Sequence, residues 1–169
     1  MRRKLLILSV LLLALAGCGI VKYSFTGTSI DPDVHTICIP TFEYKAMRVN
    51  PSLANELSEE LRTRFRRMTS LEQVEMDGDL EITGEISGYD VQASAVTGDE
   101  VAAQNRLTVS VRVEFNNVKH PEESFTGKSF SAYADYDSSN SLDAVESTLC
   151  AEIIDKIVED IFNATVAQW

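Results

Sequence analysis

The chain has 169 residues with a formal net charge of −11, and 44% of the residues are hydrophobic. Removal of a basic leader with Arg2, Arg3 and Lys4 would leave 152 residues with a net charge of −14. That length is sufficient for one domain with a hydrophobic core. The acidic balance argues against nucleic acid, and against a generally anionic membrane surface, as partners.

The N-terminus has the features of a bacterial lipoprotein signal peptide. An apolar run from Leu5 to Ala14 follows the basic start and is too short to span a bilayer. Leu15-Ala16-Gly17-Cys18 then matches the site of a lipoprotein signal peptidase. We predict that residues 1–17 are cleaved and that Cys18 carries a diacylglycerol thioether and an N-acyl chain. The alternative is an ordinary cleaved leader followed by a chance cysteine.

The residue after the anchor predicts where the lipoprotein is sorted. Gly19 stands where Asp would favour inner-membrane retention, so resemblance to Gram-negative sorting rules places the protein in the outer membrane, facing the periplasm. Residues 18–33 are rich in Gly, Ser and Thr and are predicted to form a tether. Residues 34–169 are predicted to form a single domain, with no other cofactor than the covalent lipid.

The first half of the domain begins with a strand and a helix. Residues 34–42 have the β-branched content of a strand, and Asn50-Pro51 predicts a helix start with Asn50 as N-cap. The helix is predicted over residues 51–68. Its apolar stripe consists of Leu53, Leu57, Leu61, Phe65 and Met68. Cys38 should face away from Ile37 and Ile39, and thus away from Cys150 on a later helix, so we predict two free thiols.

Three strands and a long helix are predicted next. Residues 80–95 alternate but change parity after Gly88, which predicts a β-bulge there. Residues 107–115 alternate strictly, with valine and leucine on one face and polar residues on the other. Residues 124–134 read as a third antiparallel strand whose inward residue is either Phe130 or Tyr133. Residues 142–166 then predict a buried helix.

These elements predict an α+β fold. Their order is β-α-β-β-β-α, and the economical arrangement is a four-stranded, mostly antiparallel sheet with both helices on one face. The sequence has two histidines, at positions 35 and 120, and no phosphate loop, nucleophile elbow or Cys-x-x-Cys pair. Asp77, Asp79, Asp135 and Asp137 lack the further ligands of a calcium site and are better explained by turns. We therefore predict a protein that is not an enzyme and binds no metal.

A cluster of arginines stands out against the acidic background. It consists of Arg62, Arg64, Arg66 and Arg67, at the end of the first helix. Guanidinium groups suit phosphate or carboxylate ligands, so the cluster is a candidate anion-binding site. Alternatively, the cations favour the negative end of the helix dipole. The arginines spread around the helix, which favours this second interpretation.

Several segments together resemble a known family. They are Cys18-Gly19-Ile20, Tyr23-Ser24-Phe25-Thr26-Gly27, Asn50-Pro51, Thr97-Gly98, Ala102-Ala103-Gln104-Asn105-Arg106-Leu107 and Tyr133-Ala134-Asp135-Tyr136-Asp137. Their order resembles the LptE family of lipopolysaccharide-assembly lipoproteins, in its Bacteroidetes form. The resemblance implies a non-enzymatic subunit of the outer-membrane lipopolysaccharide translocon that plugs the LptD β-barrel and contacts lipopolysaccharide. The basic residues that contact lipopolysaccharide in enterobacterial members have no clear counterparts here.

The resemblance also directs attention to one candidate partner-binding surface. The polar loop from Thr97 to Arg106 and the outward face of the next strand are predicted to contact the barrel, with Gln104, Asn105, Arg106 and Arg112 as the main residues. An ordinary solvated hairpin loop is the alternative. At the level of function, the rivals are a periplasmic lipid-binding carrier and an accessory lipoprotein of another envelope machine.

Overall fold

The computed structural model describes residues 30–94 and 103–166. Within these ranges the strands are β1 (Thr36–Cys38), β2 (Glu43–Tyr44), β3 (Glu72–Val74), β4 (Leu80–Ser94), β5 (Gln104–Asn117) and β6 (Phe125–Asp137). The helices are α1 (Leu53–Met68) and α2 (Leu142–Thr165), and a 3₁₀ turn spans Pro121–Glu123. The signal peptide, Cys18 and most of the tether predicted from the sequence lie outside the described residues.

The sheet is mixed, which corrects the prediction of four mostly antiparallel strands. Its order is β3-β1-β4-β5-β6, and β2 also pairs with β4. β1 runs parallel to both β3 and β4, and β2 runs parallel to β4. The long strands β4, β5 and β6 form an antiparallel meander. The prediction of an α+β fold with two helices is confirmed.

The predicted first strand is broken into two short pieces. Pro40 lacks the N–H that a ladder needs, and β1 ends two residues before it, at Cys38. The backbone N–H of Phe42 instead donates to the hydroxyl of Ser58 on α1, 2.9 Å away. The Phe42 ring then lies against Gly84, where a Cβ atom would come within 2.6 Å of the ring. The chain resumes its pairing with β4 at Glu43.

Helix α1 begins at Leu53, two residues later than predicted. Pro51 and Ser52 form a turn before it, and Oδ1 of Asn50 accepts hydrogen bonds from the N–H groups of Ser52 and Leu53, both at 3.2 Å. The N-cap residue is therefore Ser52 and not the predicted Asn50, although the Asn50 side chain still satisfies free N–H groups at the helix start. Four residues of the predicted apolar stripe are buried, whereas Met68 is 41% exposed.

The inward face of β5 is the one that the alternation predicted. Leu107, Val109, Val111, Val113 and Phe115 are at most 2% exposed. The register shift between Ile86 and Gly88 confirms the predicted bulge. In β6 the structure decides the open choice, because Phe130 is 9% exposed and Tyr133 is 48% exposed. One hydrophobic core joins the sheet to both helices, and the rings of Phe65 on α1 and Phe162 on α2 meet edge to face at 5.1 Å.

Candidate partner-binding surface

The outer face of the meander is formed by the side chains that alternate with the core residues of β5. Among them, Arg106 is held most firmly. Its guanidinium donates two hydrogen bonds to the Asp135 carboxylate, at 2.7 and 2.9 Å, and stacks over the Tyr133 ring at 3.7 Å from the centroid. These bonds hold the pKa of Asp135 below its usual range. The guanidinium group of Arg106 is thus held in one orientation on the outer face.

Arg112 lies further along the same face of β5. Its guanidinium is 3.3 Å from the Glu85 carboxylate on β4, which also pairs with Lys45 at 2.6 Å. The hydrogen bond from Lys45 lowers the pKa of Glu85. Between the two arginines, the hydroxyls of Ser110 and Ser131 are 3.0 Å apart. The outer face is therefore polar, and Arg106 and Arg112 both have carboxylate partners within it.

Gln104 and Asn105 begin β5 and pair with both neighbouring strands. Gln104 is exposed and lies opposite Ser94 and Asp137, while Asn105 is half-buried and lies opposite Ala93 and Tyr136. The structure places Gln104 on the outer face with Arg106 and Arg112. Asn105 has the parity of Leu107 and lies opposite the buried Tyr136, so its side chain is on the other face of the sheet, which corrects its predicted place on the contact surface. Residues 97–102 of the predicted contact loop lie outside the described residues.

The arginines at the end of α1 do not share one binding site. Nε of Arg62 donates to the carbonyl of Ile39 at 2.8 Å, and its NH1 pairs with Glu59 at 2.5 Å. Arg64 pairs with Asp155 of α2 at 3.1 Å. Arg66 donates to the side chain of Gln73 at 3.1 Å, and Arg67 is exposed. Arg62, Arg64 and Arg66 thus tie α1 to three different parts of the domain.

A buried polar junction near the start of α1 was missed by sequence reasoning. The Tyr89 hydroxyl donates to the Glu146 carboxylate and lies 3.9 Å from the Cys150 sulfur. Nδ2 of Asn50 lies 3.7 Å from the same sulfur. Burial is the main cause that raises the pKa of both Tyr89 and Cys150. The parity change at the Gly88 bulge, which turns Tyr89 inward, was the available signal.

The other thiol has a separate environment. The sulfur of Cys38 lies 3.2 Å from the carbonyl of Glu75, and both Cys38 and Cys150 are free and buried. Burial raises the pKa of each thiol, so both are protonated packing groups at neutral pH.

The aspartates considered for calcium have structural partners. Oδ2 of Asp79 accepts hydrogen bonds from the N–H groups of His35 and Thr36, at 2.9 and 3.1 Å, and these bonds lower the pKa of Asp79 to about 2. Asp135 binds Arg106, and Asp137 accepts from the N–H of Ser139 at 2.8 Å. Within the described ranges, no three His, Cys, Asp or Glu side chains are grouped so as to hold a metal ion.

His120 connects the entry of the chain to the turn after β5. Its Nε2 lies 3.1 Å from Asp33 and 3.4 Å from Asp31, and its Nδ1 lies 3.8 Å from Glu122. The hydrogen bond to Asp33 is the main cause that raises the pKa of His120 above 6.5. The same bond lowers the pKa of Asp33 from 3.8. Lys119 is the nearby cation that acts on Asp33.

We expect this contact to make the stability of the protein depend on pH. Because the folded pKa of His120 is raised, its contribution is complete below pH 6.5 and is lost as the pH rises through the folded value. The melting temperature of His120→Gln should therefore fall less than that of the unmodified protein between pH 6 and pH 9, by about a few degrees. The control His35→Gln should keep the original pH dependence. Identical pH profiles for all three proteins would contradict the assignment.

A family model for lipopolysaccharide assembly, LptE, matches residues 34–165, which includes the outer face, both helices and every strand described above. The chain belongs to the LptE family. LptE proteins are non-enzymatic lipopolysaccharide-assembly lipoproteins of the outer membrane, which agrees with a role for this chain in lipopolysaccharide assembly. No curated protein sequence matches the chain.

The chain is similar to solved structures at low sequence identity. A hypothetical protein from Chlamydia trachomatis aligns over 78% of this chain and 98% of its own, with 12% identity and a TM-score of 0.52. A minor lipoprotein from Acinetobacter baumannii aligns over 76% of this chain and 89% of its own, with 14% identity and a TM-score of 0.48. Among the described residues of this LptE-family chain, no helix combines the length and the apolar character needed to cross a membrane.

Proposed function

We propose that this protein is a subunit of the outer-membrane lipopolysaccharide translocon, held to the membrane by lipid on Cys18. In this proposal the domain sits inside an LptD-like β-barrel, assists its assembly and contacts lipopolysaccharide. The family match over residues 34–165 is the observation that carries the proposal. The partner-binding surface is the outer face, with Gln104, Arg106 and Arg112, and Asn105 borders it at the start of β5.

The chemistry of the outer face supports a position in a barrel lumen. The interior of a large outer-membrane barrel is polar, so a plug should present polar groups with few unpaired charges. Arg106 is paired with Asp135, and Arg112 with Glu85, within the face itself. When the face contacts a polar wall, the charges of both ion pairs therefore keep their partners. The remaining N–H groups of the two guanidinium groups can donate hydrogen bonds to the wall.

A lipid-binding carrier fits the described part of the protein less well. A carrier needs an enclosed apolar cavity of several hundred cubic ångströms. One open cleft of about 360 Å³ is lined by Arg62, Gln73 and Glu75 among others. A second, of about 450 Å³, is lined by Glu43, Glu85, Arg112 and Glu114 together with Pro40, Thr41, Thr83 and Gly84. Both clefts are open and have several charged side chains in their walls, so neither is the enclosed apolar cavity that acyl chains need.

Copurification of a barrel with the full lipoprotein tests the proposal. We expect an LptD-like barrel in the purified complex from detergent-solubilised outer membranes. Replacement of Asn105 and Arg106 by Ala should reduce barrel recovery several-fold, because Arg106 lies on the outer face and Asn105 borders that face at the start of β5. An exposed ion pair contributes about 1 kcal/mol or less, so the melting temperature should fall by no more than a few degrees.

The arginines of α1 provide the matched control. Arg66→Ala removes a partly exposed cation that is remote from the outer face, and it should leave barrel recovery unchanged. If Arg62→Ala and Arg66→Ala abolish recovery while the Asn105 and Arg106 variant retains it, α1 is the docking surface instead. Recovery of a different envelope complex, with no barrel, would favour an accessory role in another machine.

A further inference from the structure

The loop between β2 and α1, residues 45–49, exposes two hydrophobic side chains. Met47 is 102% exposed and Val49 is 75% exposed, and Arg48 lies between them. Among the described residues, no carboxylate forms an ion pair with Arg48. We refer to residues 45–49 as the Met47 loop. Its tip combines two apolar groups with one free cation.

Hydrogen bonds at its base fix the Met47 loop. The Tyr44 hydroxyl donates to the carbonyl of Arg48 at 2.5 Å and accepts from the N–H of Asn50 at 3.2 Å. The N–H of Lys45 donates to the carbonyl of Ile86 on β4 at 2.9 Å. Both ends of the loop are held, so the tip is exposed in a fixed conformation. Insertion of the tip into a partner would therefore lose little conformational entropy.

The charge around the tip distinguishes it from another exposed methionine. Met76 is 76% exposed, but Glu75 and Asp77 flank it directly. Phospholipid headgroups carry phosphate, which attracts a guanidinium and repels carboxylates. Apolar side chains beside a cation are the composition of segments that lie at a membrane interface. The acidic character of the whole chain restricts such a contact to a local one.

The tether is long enough to bring this loop and the lipid anchor to the same leaflet. Ile30 lines a hollow with Leu80 at the start of β4, and the Met47 loop leaves β4 beside Ile86. Six residues of strand separate these points by about 20 Å. The twelve residues from Cys18 to Ile30 can span up to about 40 Å.

We propose that the Met47 loop inserts into the phospholipid leaflet that holds the Cys18 lipid. Met47 and Val49 enter the acyl region, and Arg48 binds lipid phosphates. The contact is made by the free lipoprotein, before a barrel encloses the domain, and it depends only on the lipid anchor of the proposed function. It orients the domain on the membrane as well as attaching it.

Fluorescence quenching in nanodiscs tests this contact. The sole tryptophan, Trp169, is replaced by Phe, and a reporter is introduced as Met47→Trp or, as the matched control, Met76→Trp. Each acylated full-length protein is reconstituted into phosphatidylcholine nanodiscs with brominated acyl chains. We expect at least about twofold stronger quenching of the Met47→Trp reporter. Addition of Arg48→Gln should weaken that quenching.

Three results would overturn the proposal. They are absence of quenching at position 47, equal quenching at positions 47 and 76, and shielding at position 47 only after a barrel is bound. The last result would assign the loop to a protein contact. Retention of each protein on the nanodisc is measured separately, so loss of the Cys18 anchor is distinguished from failure of the loop to insert.

Discussion

Replacement of Cys18 by Ser is expected to release the entire protein from the membrane into the periplasm. Serine has no thiol to receive diacylglycerol, so the variant has no acyl anchor. Two or more acyl chains, at about 0.8 kcal/mol per buried methylene, supply far more membrane affinity than any described surface of the domain. Fractionation should find the variant in the soluble periplasmic fraction, and mass spectrometry should show no lipid on it.

Cys38→Ser is the matched control for this change. As in Cys18→Ser, a cysteine sulfur is replaced by a serine oxygen. The serine hydroxyl can keep the hydrogen bond to the Glu75 carbonyl, which lies 3.2 Å from the sulfur of Cys38. This control should remain lipidated and bound to the membrane. An unmodified N-terminus in the native protein, or a Cys18→Ser variant that stays in the outer membrane, would contradict the assignment of the anchor.

Truncation of Phe65 to Ala is expected to have the largest effect on stability. The side chain is 0% exposed, and its ring contacts Phe162 edge to face where the two helices meet. Loss of a buried phenylalanine costs about 3–5 kcal/mol of unfolding free energy. That is a large part of the 5–15 kcal/mol typical of a domain. The melting temperature should fall by on the order of 10 °C.

A substitution on the opposite side of the same helix provides the comparison. Arg67 is exposed, so Arg67→Ala should change the unfolding free energy by less than about 0.5 kcal/mol. Chemical denaturation of both variants measures the difference. Comparable losses for Phe65→Ala and Arg67→Ala would mean that α1 does not pack as described.

The long elements were predictable because each carries its own periodic pattern. In β5 the alternation of apolar and polar residues decides which side is buried, and five inward residues from Leu107 to Phe115 follow it. Asn50-Pro51 predicts that a helix begins close by, and the parity change at Gly88 predicts the bulge. These features depend on residues that are close in sequence, so they can be predicted from the sequence pattern.

The strand β3 and the parallel pairing of β1 were missed for the opposite reason. β3 consists of Glu72, Gln73 and Val74, which show no pattern typical of a strand, and it forms by pairing with β1. β1 in turn lies between β3 and β4, an arrangement that depends on how α1 returns the chain to the sheet. Parallel pairing is set by such crossovers and not by local composition.

The candidate surface was predicted in part. Alternation placed Arg106 and Arg112 on the outward face, yet their partners Asp135 and Glu85 follow from the registers of β5 with its neighbours. A register of this kind cannot be read from one strand alone. The same is true of Arg64, whose partner Asp155 is on the other helix.

The position of β1 inside the sheet, between β3 and β4, has a consequence for how the protein folds after secretion. Ile37 pairs with Leu80, whereas the meander from β4 to β6 closes through successive hairpins. Contacts between distant residues close more slowly than local ones. An N-terminal strand that leaves the translocation channel first must therefore wait for β4 to arrive. We expect the lipid to be attached to Cys18 while β1 is still unpaired, so that folding is completed on a chain already held at the membrane.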